Sequence, residues 1–294
     1  MEDATLAALR TAAAAVSDIG FATMVGTLAT RALLGDTASD WAMRCLRRCR
    51  RTFVRAGWVT LAAGLAWMVA EALAMTEAPL AEALPGIGDI VLDTPFGRAW
   101  AVATLALAFA LALLSLRPRR APPLRTLALA LVVSGVAHAC AGHAGANGLG
   151  VATAVMGAHV LATAMWAGAV FTAVLCAARG VPDAGDGPRY AARLSSVATW
   201  ALAVVALTGA WSAWRGLGGS VAPLASSTWG QVLDVKLALV AATVALGGFN
   251  RFVVLPTLPR AWPRFARILR LEAALLAAVL VAAALLSNGE PPAP

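Results

Sequence analysis

Charge is scarce in this chain. Only 13% of its 294 residues are Asp, Glu, Lys or Arg, against about 25% in an ordinary soluble domain. With 60% hydrophobic residues and a mean hydropathy of +0.77, that shortage excludes a water-soluble globule and leaves an integral membrane protein. Cysteine is scarce as well: four scattered residues exclude a disulfide framework, and Cys45 and Cys49, set among arginines, read as ordinary cytoplasmic thiols. The chain has no long basic arm and no aromatics interleaved with basic residues. The net charge of +8 therefore does not mark a nucleic-acid binder, and no nucleic-acid partner is expected. The acidic opening MEDATLAALR is followed by no small-residue cleavage site after a short apolar core, so no cleaved signal peptide is expected. Neither a nucleophile–base pair nor a phosphate loop occurs, and no enzymatic activity is expected.

What the chain does have is long apolar runs. Crossing roughly 30 Å of hydrocarbon takes about 20 helical residues. Eight such runs are centred near residues 21, 64, 107, 133, 163, 202, 239 and 277. Barrel strands would alternate in polarity over about 10 residues, so the expected fold is all-α, a polytopic bundle of eight transmembrane helices in one domain spanning 1–294. The connections alternate in charge. Residues 44–55 hold Arg44, Arg47, Arg48, Arg50, Arg51 and Arg55, whereas 76–96 are acidic without Arg or Lys. LRPRRAPPLR (116–125) is basic, 139–150 uncharged, 178–193 basic, 216–228 uncharged, 250–270 basic, and the tail SNGEPPAP not basic. By the positive-inside rule every second connection is cytoplasmic and both termini lie outside. A faint parallel four-plus-four repeat (1–143 and 150–287) follows from DTPFGRAW (93–100) and SSTWGQVL (226–233), and from aligning Ser17–Gly26 with His159–Gly168.

The three histidines are not spread evenly. VAHACAGHAGANG (136–148) holds His138, Cys140 and His143 at the outer end of the fourth span. Five helical residues turn through about 500°, so His138 and His143 converge only if the helix ends between them, and Gly142 with AGANG supplies such an end. His159 lies about ten residues into the fifth span, at roughly 15 Å of rise. Met156 and Trp166 share its face, three positions before and seven after. Imidazole, thiolate and thioether suit Cu(I) or Cu(II) rather than Mg or Ca. Asp18, Asp234 and Lys236 are further ionisable groups within spans, each needing a reason to be there; Asp18 is a candidate partner for Lys236. The plain alternatives are a structural hydrogen bond at His159 and ordinary packing for Cys140, Met156 and Met165.

GHAGANG (142–148), AHVLATAMWAGAVF (158–171) and TWGQVLDVKLALVAATVALGGFNRFVVLP (228–256) together resemble the membrane domain of the bacterial copper-resistance protein D (CopD) family. The matching positions are His143, His159, Trp166, Gly168, Trp229, Gly230, Lys236, Leu237, Asn250, Arg251 and Pro256, and DTPFGRAW is similar to the family's entry to its third helix. The resemblance implies an inner-membrane protein that moves copper from periplasm to cytoplasm beside a periplasmic CopC-like copper-binding partner. No CopC-like domain is fused here, so that partner is expected to be separate. Two features depart from the pattern. Ser17-Asp18 stands where an apolar or His-bearing face is expected, and the seven methionines form no repeated Met motif.

The expected path runs from an outer copper ion held by His143 and His138, with Cys140, to His159 helped by Met156. Asp18, Asp234, Lys236 and Trp166 are supporting groups. Because neutral imidazole binds the metal, affinity is expected to fall as pH drops through about 6.5. Two rivals remain: a b561-type haem electron-transfer protein held by a histidine pair, and a non-transporting copper-delivery or assembly factor.

Overall fold

The computed structural model describes residues 3–35, 37, 39–116, 122–142, 150–178 and 185–289. These residues form helices and turns, with no strand among them. In hydrocarbon every backbone N–H and C=O must be satisfied within the segment, which this Ala- and Leu-rich chain achieves by helix formation. The helices are α1 (Asp3–Leu34), α2 (Asp40–Thr76), α3 (Leu80–Ala83), α4 (Ile87–Asp93), α5 (Pro95–Leu116), α6 (Leu124–Cys140), α7 (Val151–Ala177), α8 (Asp186–Gly216), α9 (Pro223–Ser226), α10 (Thr228–Phe249) and α11 (Trp262–Asn288). A π-helical turn (Asn250–Val254) and a 3-10 turn (Leu255–Thr257) continue α10.

Among the described residues seven segments are long and apolar enough to cross a membrane: Ala4–Leu34, Asp40–Thr76, Pro95–Leu116, Val151–Ala177, Asp186–Gly216, Thr228–Thr257 and Trp262–Asn288. The chain is a multi-pass membrane protein. The segment expected as a fourth span, α6, has 17 residues and measures about 25 Å. Each of the eight expected centres falls inside a helix. The short α3 and α4 lie in the acidic stretch, which carries no long apolar run.

The two aromatic–Gly entries share a cap. Thr94 Oγ1 accepts Gly97 N–H at 2.9 Å, and Ser227 Oγ accepts Gly230 N–H at 2.9 Å. Each hydroxyl satisfies an orphan donor of the helix it opens. Gly97 is also a close-approach site: a Cβ there would overlap the Ile90 and Val91 backbone of α4.

α1 is the centre of the bundle. It packs along α2 and α7 and also meets α6, α8 and α11, while α5–α6, α7–α8 and α10–α11 are further packed pairs. At the α1–α7 crossing Gly26 and Gly168 face one another so closely that a Cβ on either would overlap the backbone of the other helix. Small residues allow such approach in membranes, where packing and interhelical hydrogen bonds replace the hydrophobic effect. Thr172 Oγ1 donates to Gly26 O at 3.1 Å and shares a 2.9 Å bond with Thr30 Oγ1. Large apolar side chains such as Trp200, Leu207 and Phe252 point outward, each at least 75% exposed, as lipid-facing residues do.

At the arginine-rich end, guanidinium groups satisfy carbonyls that neighbouring helices and turns leave open. Arg50 donates to Leu114 O near the end of α5 at 2.9 Å, and Arg193 to Leu33 O near the end of α1 at 2.8 Å. Arg31 donates through both terminal nitrogens to Pro122 O at 3.1 Å.

Candidate functional site

A cavity of about 50 Å³ lies between α1, α2, α5 and α6. Its polar lining includes Ser17 and Asp18 from α1, Thr60 from α2, Thr104 from α5, and Ser134 and His138 from α6. Such a space needs about 10–15 Å³ to admit one water, so this one has room for a few waters or a small hydrated ion. His138 Nε2 stands 3.7 Å from Asp18 Oδ1, and the two side chains are 35% and 31% exposed. Both are therefore reachable rather than sealed into the core.

The walls hold these groups in place. The Trp67 ring lies 5.6 Å from that of His138 and is itself met edge-on by Phe96 at 5.4 Å. Trp100 Nε1 donates to Gly64 O at 3.2 Å, tying α5 to α2. Ser134 Oγ donates to Ala103 O at 2.9 Å, tying α6 to α5. Toward the start of α1, eight residues or about 12 Å of rise from Asp18, Arg10 grips Glu71 with both arms of its fork. Its Nε lies 2.8 Å from Oε1 and its Nη2 lies 2.9 Å from Oε2.

His159 does not line this cavity, although its neighbour Val160 does. Its Nδ1 is 2.9 Å from Thr208 Oγ1 on α8, and its ring edge packs on Gly209. Thr208 has one hydroxyl proton, and it donates that proton to Val204 O at 2.6 Å. Thr208 is thus the acceptor, the neutral His159 ring carries its proton on Nδ1, and Nε2 keeps its lone pair. A second-shell donor of this kind is how proteins orient metal-binding imidazoles. Lys236, half-buried on α10, interacts electrostatically with both Asp18 and His159.

The other expected residues are dispersed. Cys140 ends α6 and is half-buried. It lies two residues from His138, so the two side chains point some 200° apart around the helix. Met156 is half-buried, Trp166 is buried in the bundle core, and Asp234 is exposed. His143 lies outside the described residues. Among the described residues no group of three or more His, Cys, Asp and Glu side chains stands gathered for a metal ion. The pair that does form joins His138 to Asp18, a residue the sequence marked only as supporting.

Asn250 and Arg251 act as a clamp. Asn250 Nδ2 donates to the buried Glu272 Oε1 on α11 at 3.1 Å. Arg251 donates to Ser195 Oγ at 3.0 Å and to Thr199 Oγ1 at 2.8 Å, both on α8. Adjacent helical side chains point about 100° apart, so the two reach different neighbours, α11 and α8. Sequence reasoning missed Thr208, Trp67 and the Arg10–Glu71 pair. Only Glu71, an acid within a span, carried a signal.

Two family profiles match this helical frame. The copper resistance protein D-like N-terminal domain covers residues 1–153, and copper resistance protein D covers residues 188–286. The chain belongs to the copper resistance protein D family. No curated protein and no solved structure matches it. Membership makes this a copper-resistance membrane protein. The N-terminal profile spans α1, α2, α5 and α6, the four helices that enclose most of the cavity. The second profile takes in α8, α10 and α11, with Thr208, Lys236 and the Asn250–Arg251 clamp.

Proposed function

We propose that this copper-resistance protein binds periplasmic copper, as Cu(I) or Cu(II), in the bacterial inner membrane and moves it toward the cytoplasm. The observation that carries the proposal is the intramembrane cavity in which His138 and Asp18 stand 3.7 Å apart. A neutral imidazole beside a carboxylate offers two ligands that a partly solvated copper ion can use. His143, five residues on in the sequence, is the third candidate ligand. His159 would take the ion next through Nε2, with Met156 on the same helix face and Thr208 holding the ring. A few soft ligands per step leave the ion able to exchange, as conduction or handover requires.

The orientation that suits this path has eight spans with both termini outside, so that α6 opens to the periplasm. Alternation of the basic connections supports it. A four-plus-four plan adds a further argument. Offsets taken from the two aligned segments place His159 at the position of Ser17, and Lys236 at that of Ala103. Ser17 and Ala103 both line the cavity. Gly26 and Gly168, equivalent under the same alignment, are the residues that meet at the α1–α7 crossing. The repeat units would be 1–143 and 150–287. The partners of this reading are membrane lipid and a separate periplasmic CopC-like copper-binding protein, and its action is binding and transfer without enzymatic chemistry.

The test is elemental analysis and an absorption spectrum on one purified sample of wild type, His138→Ala and His159→Ala. Copper near stoichiometric in wild type and reduced in both variants is expected. A Soret band, or copper content unchanged by both substitutions, overturns the proposal. Uptake of copper into vesicles holding the protein then separates transport from mere delivery.

A further inference from the structure

Helix α11 opens with its charges in an unfavourable order. The N-terminal end of a helix carries a partial positive charge and orphan N–H groups, so acids stabilise it and bases do not. The first turn of α11 has no acid, and Ala261 before it gives no side-chain cap. Arg264 stands in that turn and Arg267 in the next, both exposed, with Arg260 exposed just before the helix. Between Lys236 and Gly289 the one acid is Glu272, which is buried and accepts Asn250 Nδ2 at 3.1 Å. The ion pairs seen among the described residues, Arg10 with Glu71 and His138 with Asp18, involve none of these arginines.

The same face changes character one turn on. Arg264, Arg267, Leu271, Ala274, Val281 and Leu285 are all exposed and recur at intervals of three, four or seven, so they form one stripe along α11. The stripe is basic at the arginine-rich end of the bundle and apolar beyond it. Beside it, α10 packs against α11 and ends in the exposed Phe249. The Arg264 guanidinium carbon lies 5.0 Å from the centre of the Phe249 ring. A ring face holds a guanidinium in place without neutralising it and leaves its N–H edge free to donate.

We propose that the junction of α10 and α11 is a binding site for an anionic phospholipid. The phosphate sits at the uncapped start of α11 against Arg264 and Arg267, and an acyl chain follows the apolar stripe from Leu271. Guanidinium groups and helix N-terminal N–H groups both suit phosphate, and the anion relieves the repulsion between two arginines and a positive helix end. The apolar continuation selects a lipid over free phosphate, which has no use for Leu271 or Phe249. A zwitterionic headgroup brings its own cation, which the arginines repel. The inference gives the lipid partner named above a headgroup class and a place, and it is independent of the copper path.

The test titrates full-length protein in neutral-detergent micelles with dioleoyl phosphatidylglycerol, or with phosphatidylcholine of the same chains, and reads bound lipid by native mass spectrometry. We expect phosphatidylglycerol to bind more tightly. A basic residue beside an anionic headgroup changes affinity about five-fold, so Arg264→Gln/Arg267→Gln should weaken phosphatidylglycerol about 25-fold and leave phosphatidylcholine as it was. Arg264→Lys keeps the charge without the stacked plane and should weaken binding less than Arg264→Gln. Arg44→Gln/Arg47→Gln, two exposed arginines on α2, should change little. Equal binding of the two lipids by wild type overturns the site, a result that needs no variant to fold. So does phosphatidylglycerol binding that the α11 pair leaves unchanged, or that the α2 pair weakens equally, the mark of diffuse charge. Displacement of phosphatidylglycerol by an equal concentration of inorganic phosphate would overturn it too, by showing an anion site with no lipid component. Copper content enters none of these readouts, so failure here leaves the copper proposal standing.

Discussion

Gly168→Ala is the sharpest test of how the bundle is held together. A Cβ on Gly168 would overlap the Ala22 carbonyl and lie 2.8 Å from Gly26 N. Both are backbone atoms of α1 and cannot swing aside, so α1 and α7 must separate. Overpacking costs about 1–3 kcal/mol, and a rigid backbone obstacle puts this case at the upper end. Separation also stretches the Thr172–Gly26 and Thr30–Thr172 hydrogen bonds, each worth about 0.6 kcal/mol between membrane helices. Alanine returns about 1 kcal/mol of helix propensity. The net expectation is a loss of about 3 kcal/mol, rounded from those three contributions. Gly248→Ala on α10 is the matched control. Nothing lies within 4 Å of its added Cβ, so only the propensity gain of up to about 1 kcal/mol remains. Reversible unfolding of both variants in mixed detergent micelles, followed by circular dichroism, measures the difference. Two variants within about 1 kcal/mol of each other would refute the close crossing, because propensity alone predicts equal effects.

Two further outcomes follow from the same geometry. Arg10→Ala should cost about 2 kcal/mol, because it leaves the buried Glu71 carboxylate without its bidentate partner; a double-mutant cycle with Glu71→Gln that shows no coupling would rule the pair out as a stabilising contact. Thr208→Val should remove the acceptor that fixes His159, so nitrogen NMR of labelled histidine should show the Nδ1–H form in wild type and a tautomer mixture in the variant, and an Nε2–H ring in wild type would contradict the assignment.

The helices were legible because each apolar run is long enough to be read without a partner. Helices α3 and α4 were not, since four and seven residues are too few to show a period against an acidic background. In the site, Asp18, His159 and Lys236 stood out as ionisable groups in spans. That Asp18 lies beside His138 could not be read, because the two are 120 positions apart and only the packing of α1 on α6 brings them close. Thr208 had no signal at all, being one more hydroxyl on a lipid-facing helix. The Asn250–Arg251 pair was recognised as a motif, yet its work as a clamp depends on partners on α11 and α8 that only the packing supplies.

The arginine contacts at one end of the bundle bear on how the chain tolerates change. Of 23 basic residues, Lys236 is the one lysine. An ammonium would satisfy the membrane's demand for positive charge on a given side equally well. It could not serve Pro122 O as Arg31 does, with two nitrogens of one planar group. Replacing Arg31 by lysine would therefore keep the charge while loosening the joint at the end of α1. The charge that marks one end of the bundle and the bonds that close that end, usually assigned to different parts of a membrane protein, are here supplied by the same side chains.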